Sequence, residues 1–176
     1  MDEVEVRAFR AGDGERCASA WLDAARYYVG QEPENFQLPA EAGLAEWFED
    51  DGPADVPAEQ RTGDEPPLLR LVATVDGQLA GFVVATLEAP VTDARFQLVR
   101  ALASVCVYVN ALAVAEQYRR AGAGTALMTA VEQWGREHGA VLVTLDTNAR
   151  SQLSVPFYED RLGYARHGVI FRKHLA

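Results

Sequence analysis

Thiols, lysine and long apolar runs are all scarce in this chain, and each scarcity closes off a class of protein. Cys17 and Cys106 are the two cysteines, and with no CxxC or histidine-rich spacing around them neither a disulfide framework nor a metal site is expected. Both read as buried free thiols. No apolar run approaches the length of a membrane span, and the start Met1-Asp2-Glu3-Val4-Glu5 is acidic where a secretory signal would be basic. A soluble, cytoplasmic protein with no membrane partner is the expectation. Positive charge is short as well: 16 Lys and Arg stand against 26 Asp and Glu, for a net charge of −10. Such a balance repels a phosphate backbone and argues against nucleic acid as the main partner. It suits a cationic small molecule or an amine-bearing peptide. Lys173 stands alone among fifteen arginines, a compositional bias from which no function is drawn.

What remains is ordinary globular composition, 49% hydrophobic and 24% charged over 176 residues, long enough for one domain spanning 1–176. Val4 to Phe9 alternates as a half-buried strand. Gly12-Asp13-Gly14 opens a helix with Cys17, Trp21, Ala24, Ala25 and Tyr28 on one face, ended by Gly30 and Pro33. A short helix is expected over Ala40 to Phe48, and an acidic, Pro- and Gly-rich loop over Glu49 to Pro67. Two strand patterns, Leu68 to Val75 and Gln78 to Leu87, flank Asp76-Gly77, a strong hairpin signal. A long strand follows over Val105 to Val114, then a helix over Ala126 to His138. Ala140 to Leu145 is a continuous apolar run that reads as a central strand covered on both faces. A helix over Ser151 to Arg161 and strands near Tyr164 to Arg166 and Gly168 to Arg172 complete a mixed α/β order.

Between the long strand and its helix lies Arg119-Arg120-Ala121-Gly122-Ala123-Gly124-Thr125. Glycines at a strand-to-helix junction let backbone amides approach an anion at the positive end of a helix, and two arginines add forked donors. The spacing excludes a P-loop, because Gly124 is followed by Thr125-Ala126 with no lysine. It also excludes the dinucleotide fingerprint, because Leu127 stands where Gly or Ala is required. A plain glycine turn with solvated arginines still fits these seven residues taken alone.

Their neighbours add a resemblance. Leu112-Ala113-Val114 precedes the loop. Leu127-Met128 and Val131-Glu132-Gln133-Trp134 follow it, and further on come Val143-Thr144-Leu145-Asp146, Phe157-Tyr158-Glu159, Gly163-Tyr164 and Phe171-Arg172-Lys173-His174-Leu175. With the Gly77-Gln78-Leu79-Ala80-Gly81-Phe82 hairpin, this order resembles the GNAT superfamily of acetyl-CoA-dependent N-acetyltransferases across most of the chain. The resemblance implies the acyl-CoA N-acyltransferase fold: a mixed central sheet of about six to seven strands flanked by about four helices.

It also implies site residues. The strand before the loop would carry a bulge and splay from its parallel neighbour, so that backbone at Leu112, Ala113 and Val114 meets the pantetheine arm. Arg119, Arg120, Ala121, Gly122, Ala123, Gly124 and Thr125 would hold the CoA pyrophosphate. Tyr158 matches the family's tyrosine near the thioester sulfur. Ser151 and Ser154 occupy positions where many relatives have Asn and Ala, and Asn148 stands nearby; Ser151 equally fits the N-cap of the last helix. Family members often place a carboxylate on the strand before the loop, whereas this chain has Tyr108 and Asn110. Asp146, or an acid between Glu46 and Asp51, is left as a base acting through water.

The function so implied is transfer of an acetyl group from acetyl-CoA to a primary amine of a small molecule or peptide, by direct attack in a ternary complex. Within that reading an aminoglycoside-type acceptor is one option. A non-catalytic CoA-binding or sensory module of the same fold is the other class left open. The resemblance allows a homodimer and calls for no metal.

Overall fold

A computed structural model describes residues 3–50, 52–53 and 67–173. The loop expected over Glu49 to Pro67 lies mostly outside the described residues, as does His174. Met1–Asp146 forms one compact unit and Thr147–Ala176 a second.

The first unit is built on a five-stranded sheet in the order β1-β2-β3-β4-β5, comprising β1 (Val4–Ala8), β2 (Leu68–Val75), β3 (Gln78–Glu88), β4 (Cys106–Val114) and β5 (Leu142–Thr144). The pairs from β1 to β4 are antiparallel, and β4 with β5 is parallel. The β2–β3 hairpin turns at Asp76-Gly77, both with positive φ (48° and 76°), as its sequence signal requires.

One face of the sheet is covered by α1 (Gly14–Gln31) and α2 (Leu44–Asp50). Cys17, Ala18 and Ala20 of α1 and Leu44 and Phe48 of α2 pack on Val72, Phe82, Val84, Ala111 and Ala113. The ring of Phe82 meets Phe48 at 4.9 Å and Trp21 at 6.1 Å between centroids. The small residues of α1 and β4 bring helix and sheet close, while the aromatic rings fill the remaining space. α3 (Ala123–Glu137) covers the opposite face through Leu127, Met128 and Val131, all fully buried. Burying a side chain of that size stabilises by about 1.5–3 kcal/mol.

Side chains close both ends of the α1–α2 pair. Glu49 accepts the amides of Gly12 at 3.1 Å and Gly14 at 2.7 Å, satisfying donors at the start of α1. Asp13 accepts two bonds from Arg7, at 2.7 and 2.8 Å, and one from the Arg10 amide. The Arg7 guanidinium therefore holds the Asp13 carboxyl below its ordinary range. Arg70 lies over the Phe9 ring at 3.9 Å and donates to the carbonyls of Phe48 and Asp50 at the end of α2.

Two expectations are corrected. β5 has three residues and forms the edge of the described sheet, with Leu142 43% exposed, where a central strand covered on both faces was expected. An apolar run shows that a segment tolerates burial; its cover must come from residues remote in sequence. In the second unit, residues 165–173 form no strand, and Val169, Ile170 and Phe171 are all largely exposed. Alternation is a local property, but a strand exists only where a partner completes its ladder. The described sheet accordingly has five strands, below the six to seven expected.

Candidate functional site

β4 supplies the first part of the site. Its register against β3 pairs Ala111 with Val84 but Val109 with Ala85, so Asn110 is an extra residue with no counterpart. This is the expected bulge. Its parallel pairing with β5 covers Cys106, Val107 and Tyr108 and ends at Tyr108 opposite Thr144. From Val109 onward β4 has no partner on that side among the described residues.

The antiparallel alternation then determines which backbone groups face the opening. Ala115 donates to the carbonyl of Ala80 at 2.8 Å, and every second residue back along β4 likewise bonds to β3. Leu112 and Val114 therefore turn their N–H and C=O groups away from β3, towards the side that β5 has left. An extended chain bearing amides could pair with them as a short strand would. Ala113, 3% exposed, points its backbone to β3 and its side chain into the α1 cluster, so it belongs to the wall of the site.

The strand leads through a single turn, Glu116–Tyr118, into the glycine loop. Arg120 and Gly122 both adopt positive φ, 70° and 97°, and α3 starts at Ala123. Gly122 suits a left-handed position without steric cost, whereas Arg120 is held there at some strain. No side-chain hydrogen bond caps α3 and no acidic residue lies in its first turn. A helix whose first amides and positive dipole end lack such compensation is suited to an anion. α1 braces the loop: the Asp23 carboxylate accepts the Glu116 amide at 3.0 Å, and Arg119 reaches the Asp23 carbonyl at 3.5 Å. Arg119 is half-buried and Arg120 exposed.

The second unit holds the remaining residues predicted from sequence. Ser151, 3% exposed, accepts the Ser154 amide on its hydroxyl at 3.0 Å and the Val155 amide on its carbonyl. It caps α4 (Ser154–Pro156), which continues as a π-helical turn over Phe157–Arg161. Asn148 closes its own turn by accepting the Arg150 amide at 2.7 Å. Tyr158 sits in the π turn, half-buried, with its ring 5.1 Å from Phe157 and 5.9 Å from Tyr164. Such turns interrupt the regular ladder and recur at functional sites. Glu159 is paired with Arg166, which lowers its carboxyl below the usual range.

Among the candidate bases, Glu49 is committed to the start of α1, while Glu46, Asp50 and Asp146 are exposed. Asp51 lies outside the described residues. His138 lies at the end of α3 with Nδ1 2.8 Å from the Trp134 carbonyl, as expected of a terminal helix residue. No cluster of three or more His, Cys, Asp or Glu side chains able to hold a metal occurs among the described residues.

Sequence reasoning did not find Asp23, Thr86 or an apolar hollow of about 310 Å³ lined by Trp21, Pro39, Ala40, Leu44 and Trp47 on the α1–α2 side. The aromatic stripe of α2 hinted at the hollow. Nothing local signalled the other two.

Comparison with known proteins agrees with this architecture. Among solved structures, a single-residue mutant of the BH1408 protein from Bacillus halodurans superposes with a TM-score of 0.76 at 20% identity, covering 98% of this chain and 99% of that one. A transcriptional regulator from Bacillus halodurans C-125 gives 0.66 at 18% identity, covering 98% and 100%. The structure of AAC(6')-Iy in complex with the bisubstrate analog CoA-S-monomethyl-acetylneamine gives 0.58 at 21% identity, covering 99% of each chain. At these identities the likeness concerns the fold. No curated protein matches the sequence. The model of the acetyltransferase (GNAT) family matches residues 21–164, and the chain belongs to that family.

Proposed function

We propose that this protein transfers an acetyl group from acetyl-CoA to a primary amine of a small molecule or peptide, within a ternary complex. The observation that carries the reading is the parting of β4 from β5 after Tyr108, which leads to the uncapped, acid-free start of α3 behind Arg119 and Arg120. In this reading Leu112 and Val114 pair with the pantetheine arm along the wall that includes Ala113, and Arg119 to Thr125 hold the pyrophosphate. Each helix-end interaction contributes about 0.3–1 kcal/mol when exposed and up to about 2 kcal/mol when partly buried. The family match spans residues of both compact units, which supports one functional domain. The free thiols Cys17 and Cys106 suit the reducing cytoplasm, and no helix among the described residues is long and apolar enough to cross a membrane.

Chemistry assigns Tyr158 its part. The amine attacks the thioester carbonyl, a tetrahedral intermediate collapses, and a thiolate leaves. A phenol near pKa ~10 is protonated at neutral pH, but giving its proton outright to a thiolate near ~8.5 is uphill by roughly 2 kcal/mol. Tyr158 therefore acts as a hydrogen-bond donor to the developing thiolate. Ser151 and Ser154 are proposed beside the arm, Ser151 doing so while its hydroxyl caps α4. The acceptor arrives as an ammonium near ~10.4 and must lose a proton, through water, to an exposed carboxylate such as Asp146 or Glu46.

The net charge of −10 favours a cationic acceptor. Aminoglycosides are of that kind, and structures of aminoglycoside acetyltransferases are among the similar folds. A second reading, a CoA-binding module without catalysis, is favoured by one feature: β4 carries Tyr108 and Asn110 where a base would stand. A thiol-release assay with acetyl-CoA over a panel of amines that includes aminoglycosides decides between them. Release with one acceptor class supports the enzyme; acetyl-CoA binding without release for any amine supports the module.

A further inference from the structure

We propose that Thr86 and Asn110 form a positioning pair that sets where the acyl end of the bound donor stops. The inference rests on the acetyl-CoA reading and deepens it. Asn110 is the extra residue of the β4 bulge, and Thr86, on β3, pairs with Tyr108 just beyond the register shift. The Thr86 hydroxyl donates to Asn110 Oδ1 at 2.6 Å, tying the unpaired residue to the neighbouring strand.

That tie matters because the bulge decides which amides face the opening. Were the extra residue to move one position along β4, the backbone groups in between would exchange sides, trading a bond to β3 for exposure to the donor. The bulge also lies beside the point of parting, two residues beyond the last β4–β5 pair at Tyr108. From Val114 back to Asn110 the strand spans roughly 13 Å at about 3.3 Å per residue. A pantetheine arm that enters at the α3 end and pairs with Val114 and Leu112 brings its thioester to this region.

The amide nitrogen is not spent on the fold. Asn110 Nδ2 is buried and has no hydrogen-bond partner among the described residues. An apolar side chain would occupy the place without leaving a donor unmet. An asparagine is accounted for if its Oδ1 anchors the bulge and its remaining donor serves the acyl end.

The test compares two ligands by calorimetry on the full chain: acetyl-CoA, and 3′-phospho-ADP, which carries only the end held by the glycine loop. Thr86→Val, close in shape to the native residue, should weaken acetyl-CoA roughly five- to tenfold and leave 3′-phospho-ADP unchanged. Asn110→Ala should do the same, and Thr86→Ser, which keeps the hydroxyl, should restore acetyl-CoA affinity. Unchanged acetyl-CoA binding in Thr86→Val and Asn110→Ala, or equal losses for both ligands, would overturn the positioning role. Failure of the unaltered protein to bind either ligand would overturn the acetyl-CoA reading itself, and the inference with it.

Discussion

Asp23, in the middle of α1, accepts the backbone amide of Glu116 on its carboxylate at 3.0 Å, across 93 residues of sequence. This bond joins the first helix to the turn from which the glycine loop departs. Its neighbour, the contact of Arg119 with the Asp23 carbonyl, adds a second tie between the same elements. The loop is thus held by the α1 layer on one side and becomes the start of α3 on the other.

Replacing Asp23 by Ala should loosen the loop more than it destabilises the fold. A hydrogen bond to a charged group contributes about 1.5–3 kcal/mol when well formed, and this one is partly open to solvent. Acetyl-CoA affinity is expected to fall by roughly fivefold, measured by calorimetry, with little change in the urea midpoint. An affinity equal to that of the native protein would show that the tie is not needed.

Substitutions within the loop separate charge from backbone shape. Arg119→Ala should weaken acetyl-CoA binding, and the loss should shrink as salt rises, because screening already reduces the charge term. Gly122→Ala places a Cβ on a residue with φ of 97° and should lower stability by about 1–2 kcal/mol in urea unfolding. Arg119→Ala should leave that unfolding curve nearly unmoved.

For Tyr158, loss of the hydroxyl should appear in the chemical step. In Tyr158→Phe, turnover with an accepted amine is expected to drop by roughly a hundredfold while acetyl-CoA affinity changes little. Normal turnover would remove Tyr158 from the reaction.

The pairing of Arg7 with Asp13 gives stability a defined acid dependence. Because the folded carboxyl titrates below its ordinary value, its contribution is fully present above that value and is lost as pH falls through the depressed one. Asp13→Asn should cost about 1–2 kcal/mol at pH 7 by urea unfolding, and the gap from the native protein should close as pH falls below roughly 4. A gap independent of pH would assign the effect to packing.

The hairpin at Asp76-Gly77, the face of α1 and the hydroxyl contact of Ser151 with the last helix were legible from local chemistry, since turn preference, periodicity and capping act within a few residues, whereas α3 starts at Ala123, three residues before the expected Ala126. The glycine turn that opens α3, with positive φ at Gly122, was legible for the same reason. Glu49 could not be assigned from its acidic surroundings: it reads as one more solvated carboxylate until α2 packs beside the start of α1. Asn110 was visible as a polar residue on a strand, but its bulge follows from counting residues between two strands whose pairing no single segment encodes.

Sequence alone thus determined the order of the main elements from β1 to β5, the glycine turn at the start of α3 and the family likeness, all of which depend on short-range geometry or on ordered motifs. Only the tertiary structure decided that β5 ends at Thr144 and lies at the edge of the described sheet, that beyond Tyr108 β4 has no partner on its β5 side among the described residues, and that Thr86 and Asp23 brace the bulge and the loop. Those features depend on which distant backbone completes a ladder and which side chain meets it, and chain folding alone brings such partners together.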